Sequence, residues 1–361
     1  MTSFPAAQAS PTTVRISGPG ELVATLPYQL GHEIEHAIVV IGLQGRRTTL
    51  VQRLDLPEPQ HQPGLAAELA GRAAAAGAEA ALVVVYADGW PEAEQAARAV
   101  QRAVQTEGLG LRDLVLVVDD RWRSLLGARG PAAGHPVPRA EAVPAVADLV
   151  AVGRAPLASR EALAEQVWAL EGDLDAVARA WEDLADEVLE HPFGQAAGLV
   201  GLLPRSLTLW RRLVTAEPTE TVVPRLDPAD LALLAFSLEE VRWRDALLAW
   251  ACPGLMPLEL VDDRAREWVR ELQRGHERGP EQDDALRDRL AAVVRRLPDP
   301  EAAPVLTVLG GLLWDAGEGA LAGEALERAL AGRPDYRLAQ LLAQVVAVGI
   351  APRRLRQGSA P

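Results

Sequence analysis

The sequence predicts an α/β domain at the N-terminus, with a mixed sheet and flanking helices, followed by an all-α domain. Three observations support this. Residues 13–120 alternate between the two-residue period of strands and the longer period of helices. Residues 124–140 are rich in glycine, proline and alanine, which is typical of a loop or linker. Beyond them the strand pattern stops. We therefore expect an α/β domain over 12–123 and a helical domain over 141–361.

Short apolar runs predict the first elements of the α/β domain. "TVRI" over 13–16 indicates a strand, and the leucines at 22, 26 and 30 have the spacing of a helix. "AIVVIGL" and "TTLVQRLDL" flank the turn "QGRR". Two such runs around a short polar turn predict a β-hairpin.

The second half of the α/β domain alternates helices with strands. After the alanine-rich helix over 64–77, "ALVVVYA" predicts a strand. A helix with Pro91 at its first position follows, and then the strand "LRDLVLVVDD". Because such a strand–helix–strand crossover is almost always right-handed, we expect its two strands to be parallel.

The helical domain is predicted from repeated amphipathic segments, the last of which have tetratricopeptide-like spacing over 303–348. Its tryptophans have apolar neighbours three or four residues away, which favours core positions. The tetratricopeptide-like pair places leucines and small residues on two adjacent helices: Leu306, Leu309, Gly310 and Leu313, then Ala322, Leu326 and Ala329. A lone repeat cannot bury its own face, so it must pack on the preceding helices.

Composition excludes several classes of function. The net charge is −14 with a pI near 5.0, which disfavours binding to nucleic acid and to anionic membranes. Cys252 is the single cysteine, so neither an intrachain disulfide nor a thiolate zinc cluster is expected. No apolar run reaches the length of a membrane helix, and no secretion signal or cofactor motif is recognisable. We expect a cytoplasmic protein without a cofactor.

The stretch "HEIEH" matches the zinc-protease signature through His32, Glu33 and His36. That chemistry requires both histidines on one helical turn. Pro27 and Gly31 argue against a continuous helix, and "AIVVIGL" directly after is β-branched. A third zinc ligand would have to come from Glu58, His61 or Glu68. We interpret the stretch as a solvated turn that leads into a strand.

A candidate ligand site follows from the two parallel strands. Their carboxyl ends should emerge at one edge of the sheet, where α/β proteins usually bind ligands. The residues at these ends are Tyr86, Asp88 and Gly89 on one strand and Asp119, Asp120, Arg121, Trp122 and Arg123 on the other. Carboxylates beside arginines and an aromatic ring could hold a divalent cation or a polar small molecule. The ordinary alternative is a turn with strand-end acids paired to arginines, and we favour that alternative.

Several segments resemble one actinobacterial family, the domain-of-unknown-function family 4192. They are "VRISGPGELVATLPYQLG…AIVVIGL", "LVLVVDDRWRSL", "RDALLAWAC" and "GEGALAGEALERALAGRPDYRLAQLLAQVV". The resemblance covers nearly the whole chain. It implies a cytoplasmic bacterial protein with an α/β half and a helical half, and it implies no activity.

The chain departs from this family at two places. Members typically read Gly-Phe-x-Pro-x-x-Ser before the second strand, where this chain has Gly31, His32, Ile34 and Ala37. The histidine motif therefore falls inside a family loop. Members also often carry cysteines after an Arg-Trp-x-Ser segment, and residues 121–136 have none here. A metal or redox role resting on those cysteines is thus in doubt.

Three hypotheses for function remain open on the sequence. The first is a non-catalytic protein-interaction or regulatory module that binds an unknown protein partner through the helical domain. The second is a small-ligand or divalent-cation-dependent enzyme that uses the strand-end acids, with Asp88 close to Asp119 or Asp120. The third is zinc hydrolysis through His32, Glu33 and His36, against which the local sequence argues.

Overall fold

A computed structural model describes residues 16–348 apart from positions 46, 128, 129, 152 and 277. Within these residues the chain forms two compact units. The α/β unit comprises residues 16–163 with 345–348, and the helical unit comprises residues 164–344. The α/β unit contains a six-stranded mixed sheet, and the helical unit follows it in sequence. The predicted fold class is therefore confirmed.

The α/β unit is built on one sheet. Its strands are β1 (Ala37–Gln44), β2 (Arg47–Asp55), β3 (Ala80–Tyr86), β4 (Gly110–Val118), β5 (Arg121–Ser124) and β6 (His135–Pro136). Its helices are α1 (Pro19–Leu30), α2 (Gln62–Ala75), α3 (Trp90–Thr106) and α4 (Pro144–Ala151). The strand order is β2-β1-β3-β4-β5-β6, with β3 and β4 parallel and the other neighbours antiparallel. Both the β1–β2 hairpin and the parallel β3–β4 pair were predicted, and both are confirmed.

Successive residues of the central strands face two separate cores. Ile38 and Val83 pack with the alanine-rich helices α2 and α3 on one face of the sheet. Val39 and Val84 pack with α1 on the other face. Because both faces are covered, these strands read as continuous apolar runs rather than as alternating patterns.

Two stretches of the α/β unit differ from the sequence prediction. Residues 13–15 of the predicted first strand lie outside the described residues, and Ile16 belongs to neither a helix nor a strand. The predicted linker 124–140 contains β6, which pairs with β5. The Val137 amide also donates to the Asp120 carbonyl at 2.8 Å. The sheet therefore extends into the segment that composition alone indicates as a loop.

The remaining described residues form a succession of helices. They are α5 (Arg160–Trp168), α6 (Leu174–Leu189), α7 (Gln195–Thr215), α8 (Pro228–Phe236), α9 (Val241–Ala251), α10 (Asp263–Leu272), α11 (Pro280–Val294), α12 (Ala303–Asp315), α13 (Gly319–Gly332) and α14 (Arg337–Ala347). In the described part of the chain no helix is both long and apolar enough to span a membrane.

Helix α12 lies at the centre of the helical unit, with all its residues buried. Glycines let two neighbouring helices come close to it. A Cβ atom at Gly310 would lie 2.8 Å from Leu326 of α13, and one at Gly311 would lie 2.8 Å from Leu248 of α9. Gly310 is one of the small residues of the predicted tetratricopeptide-like pair. That α12 and α13 form a tetratricopeptide-like unit stays a prediction.

Buried arginines close the ends of several helices in this unit. The fully buried Arg328 donates to the carbonyls of Val167, Val294 and Leu297 at 2.5–2.9 Å. Its guanidinium also lies 3.2 Å from the Asp299 carboxylate. The last carbonyls of a helix have no partner within the helix and carry partial negative charge. One side chain therefore satisfies the ends of both α5 and α11.

Arg289 and Arg278 act in the same way at other helix ends. Arg289 donates to the carbonyls of Leu213 and Ala216 at the end of α7. Arg278 donates to the carbonyls of Trp250 and Ala251 at the end of α9. A guanidinium has five donors in a fixed fork, which suits it to bind two or more carbonyls at once.

Candidate functional site

The predicted strand-end acids Asp119 and Asp120 form the turn of a hairpin. Both have left-handed backbone conformations, with φ of 49° and 56°, and they join β4 to the antiparallel strand β5. Two consecutive left-handed residues match the right-handed twist of a tight hairpin, and aspartate tolerates this conformation. The turn explains both acids without a ligand. Arg121, Trp122 and Arg123 belong to β5, a strand that was not predicted from the sequence.

Arg121 and Trp122 hold the segment after β5 against the sheet. Arg121 donates to the carbonyls of Ala133 and Gly134 at 2.7 Å each. The Trp122 ring stacks on His135 with 4.8 Å between ring centroids. A Cβ atom at Gly20 in α1 would lie 2.9 Å from the Trp122 indole nitrogen, so the ring is packed closely against that helix.

Arg123 is also engaged within the unit. Its guanidinium carbon lies 3.7 Å from the centre of the Trp90 ring at the start of α3, which is a cation–π contact. The arginines and the tryptophan of the candidate site thus hold β5, β6 and α3 together. That they bind a ligand stays a prediction.

Asp88 meets a histidine that the sequence analysis assigned to another hypothesis. His36 Nδ1 lies 3.5 Å from Asp88 Oδ1, and His36 Nε2 lies 3.4 Å from Glu92 Oε1. The Asp88 side chain is 91% exposed, so these contacts contribute little to stability. Glu92 was not among the site residues predicted from the sequence. Glu92 lies in the first turn of α3, directly after the end of β3, and that position could have identified it as a candidate.

The His-Glu-x-x-His stretch is not a helix, as predicted. Helix α1 ends at Leu30, because Gly31 adopts a left-handed conformation (φ 83°) and its amide closes the last turn on the Pro27 carbonyl. Pro27 lies inside α1, so the helix end is set by Gly31 and not by the proline. His32 forms an isolated bridge with Leu157, and Glu33 and Gly31 exchange backbone hydrogen bonds with that residue. His36 has a left-handed conformation (φ 43°) directly before β1.

The two histidines therefore occupy different environments. His32 is buried and its Nδ1 lies 2.6 Å from the Glu33 carbonyl oxygen, whereas His36 is half-exposed at the sheet edge. Burial lowers the pKa of His32. Among the residues that the structure describes, no three histidine, cysteine, aspartate or glutamate side chains are arranged to hold a metal ion. This geometry does not form a zinc-protease site.

Tyr86 has a buried hydroxyl without a hydrogen-bond partner among the described atoms. Burial raises the pKa of Tyr86, and the charge of Glu33 adds to the effect. Burial also raises the pKa of Glu33, with Asp120 and Glu35 adding like-charge repulsion. This end of the sheet is therefore a poor environment for further negative charge.

A different surface stands out in the helical unit, at the end of α6. Leu189 is 59% exposed and Phe193, in the loop before α7, is 84% exposed. The neighbouring helix residues are mostly acidic. The sequence pattern of this segment predicted only an amphipathic helix. The available signal was the run of carboxylates in "EDLADEVLEHPF" that ends in a phenylalanine.

Comparison with known proteins adds one finding. The sequence model of a family described as a domain of unknown function matches residues 19–353, which is nearly the whole chain. The comparisons with curated proteins and with solved structures gave no match.

Proposed function

The chain belongs to the family Domain of unknown function (DUF4192), and from that premise we propose that it is a non-catalytic protein-interaction module. The helical unit presents the surface for a protein partner, and the α/β unit serves as a folded base. The observation that carries the proposal is the exposure of large apolar side chains on the helical unit.

The two units differ in which large apolar side chains they expose. Among the described residues, the exposed large apolar side chains of the α/β unit are Ile16, Leu126 and Val150. Those of the helical unit are Trp168, Leu170, Leu189, Phe193, Val241, Leu260 and Leu341. Single exposed leucines are ordinary in soluble proteins. A phenylalanine exposed to 84%, four residues after a leucine exposed to 59%, is less ordinary and favours a contact surface.

The charged residues at the carboxyl edge of the sheet also support the proposal, because contacts within the α/β unit already engage them. Arg121, Trp122 and Arg123 are engaged in contacts within their own unit. Asp119 and Asp120 are explained by their turn. The proposal includes a cytoplasmic location, for which the buried, lone Cys252 is the support, because reducing compartments do not favour disulfides. The charge of −14 favours a protein partner over nucleic acid.

Site-specific photo-crosslinking in the source organism tests this function. Benzoylphenylalanine replaces Phe193 in one version of the full chain and Leu126, which is 46% exposed, in the control version. We expect a discrete protein adduct from position 193 and none from position 126. The absence of an adduct at 193, or equal adducts from both positions, would contradict the proposed function.

A further inference from the structure

We propose that the face of α6 that leads to Phe193 binds a basic amphipathic segment of a partner protein. This inference rests on the proposed function and specifies the chemistry of the partner. The occupant would present arginine or lysine side chains to the carboxylates of α6 and one or more apolar side chains to Leu189 and Phe193.

Negative charge is concentrated on α6 and its two ends. Residues 173–190 contain seven acids and one arginine, Arg179, so their formal charge is 1 − 7 = −6, against −14 for all 361 residues. The acids are Asp173, Asp175, Glu182, Asp183, Asp186, Glu187 and Glu190. Residues three or four apart share a helix face, so Asp183, Asp186 and Glu190 form one exposed row.

The last of these acids lie where helix physics disfavours them. The C-terminal end of a helix carries partial negative charge and is stabilised by cations. Helix α6 has no basic residue in its last turn, which contains Asp186 and Glu187, and Glu190 follows at the C-cap. Arg205 of α7 lies 3.1 Å from Glu187, but both side chains are more than half exposed. A basic segment of a partner would reduce the repulsion between these carboxylates and the negative end of the helix. The fold alone gives no reason for placing the carboxylates there.

A groove beside the acidic row offers space for side chains. It has a volume of about 590 Å³ and lies between α6 and the first turn of α8. Ala176, Ala180 and Ala229 line it with small side chains, and Asp183 and Asp227 supply carboxylates. Close to it, burial and the charge of Asp227 raise the pKa of Asp230. Arg179 also lines the groove, so it presents one cation against the three carboxylates of Glu182, Asp183 and Asp227.

The apolar side chains at the end of this face favour a protein segment over a simple cation as the occupant. From Ala176 to Glu190 the helix advances about 21 Å at 1.5 Å per residue. The groove lining runs along α6 as far as Asp183, so Leu189 lies only about 9 Å further along the helix, and Phe193 lies in the loop that follows it. An occupant that covers the helix from Ala176, at the start of the groove, to Leu189 needs roughly four helical turns with basic and apolar side chains.

Fluorescence anisotropy with designed peptides tests the proposal on the full chain. The probe is a labelled sixteen-residue helical peptide with arginines and leucines at helical spacing. A second peptide has glutamate at every arginine position, and a third has serine at every leucine position. We expect binding of the first peptide to weaken steeply with salt, no binding of the second, and at least about tenfold weaker binding of the third.

Two triple variants with the same change in net charge locate the binding site. Asp183→Asn/Asp186→Asn/Glu190→Gln should weaken binding of the first peptide about tenfold or more. Glu58→Gln/Glu94→Gln/Glu107→Gln removes three exposed charges from the α/β unit and should leave the affinity within about twofold. Phe193→Ser should weaken binding without changing the net charge.

Equal loss of affinity in both triple variants, or loss in neither, would overturn the proposal, because the charge of α6 would then not be the determinant. Occupation of this face by a second copy of the chain would also overturn it, and sedimentation at increasing concentration detects that outcome. A crosslink from position 193 that persists in the α6 triple variant would refute the basic partner while the proposed function stands. No crosslink at all would refute the proposed function itself.

Discussion

The two units use charged side chains in opposite ways. At the sheet edge of the α/β unit, arginines and aspartates collect where ligands often bind, yet turns, stacking and backbone hydrogen bonds account for most of them. In the helical unit, arginines are buried at helix ends and carboxylates remain on the surface of α6. Charged residues therefore indicate a functional site chiefly where the fold does not require them.

The largest effect is expected from removal of a buried arginine. Arg328→Leu leaves three helix-end carbonyls without their donor and Asp299 without its partner. We expect the free energy of unfolding of the helical unit to fall by about 3 kcal/mol. Urea unfolding followed by far-ultraviolet circular dichroism measures this change.

An exposed arginine in the same unit is the control for that experiment. The Arg225 side chain is 67% exposed, and its Nη1 lies 3.6 Å from Glu220 Oε1. Arg225→Leu should change the free energy of unfolding by about 0.5 kcal/mol or less. Similar losses in the two variants would show that the buried arginine does not stabilise the helix ends as described.

A smaller effect is expected from the buried histidine of the α/β unit. Because burial lowers the pKa of His32, the unfolded chain binds a proton there more readily than the folded protein. The resulting stability is present above about pH 6.5 and is lost as the pH falls below it. The loss is about 1.4 kcal/mol for each unit by which the folded pKa is lowered.

Thermal unfolding at pH 8 and pH 5 checks this dependence. His32→Gln, which cannot be protonated, should lose less stability between the two pH values than the original chain. His61→Gln replaces an exposed histidine of the same unit and should behave like the original chain. An unchanged loss in His32→Gln would exclude His32 as the source of acid sensitivity.

The smallest effect on stability is expected from substitutions in α6, and these should stabilise the protein rather than destabilise it. Asp186→Asn and Glu190→Gln each remove a negative charge from the C-terminal end of the helix. Each should raise the free energy of unfolding by about 0.3–1 kcal/mol, and added salt should reduce the gain. Urea unfolding at low and at high salt measures both. A loss of stability would show that these acids serve the fold.

The sequence predicted the elements whose apolar pattern is strong and local. The β1–β2 hairpin and the parallel β3–β4 pair follow from periodicity, and Gly31 correctly indicates the end of α1. Strand β5 was missed because "RWRS" has no apolar alternation and depends on the left-handed pair Asp119 and Asp120. Strand β6 has only two residues, and it is a strand because it pairs with β5.

The candidate sites were harder to predict, because the role of each residue depends on contacts with residues that are distant in sequence. The carboxyl edge of the sheet was located correctly from topology, but its chemistry depends on partners such as Trp90 and Ala133. The pairing of His36 with Asp88 and Glu92 joins three elements that no single motif contains. The acidic row on α6 was visible in the sequence, whereas the exposure of Phe193 required the structure.

The most direct test measures stability and peptide affinity on one sample of Asp183→Asn/Asp186→Asn/Glu190→Gln. If the carboxylates of α6 are retained for a basic partner, the variant will unfold at higher urea concentration than the original chain and bind the arginine–leucine peptide at least about tenfold more weakly. A variant that loses stability, or that binds the peptide as tightly as the original chain does, would contradict this account.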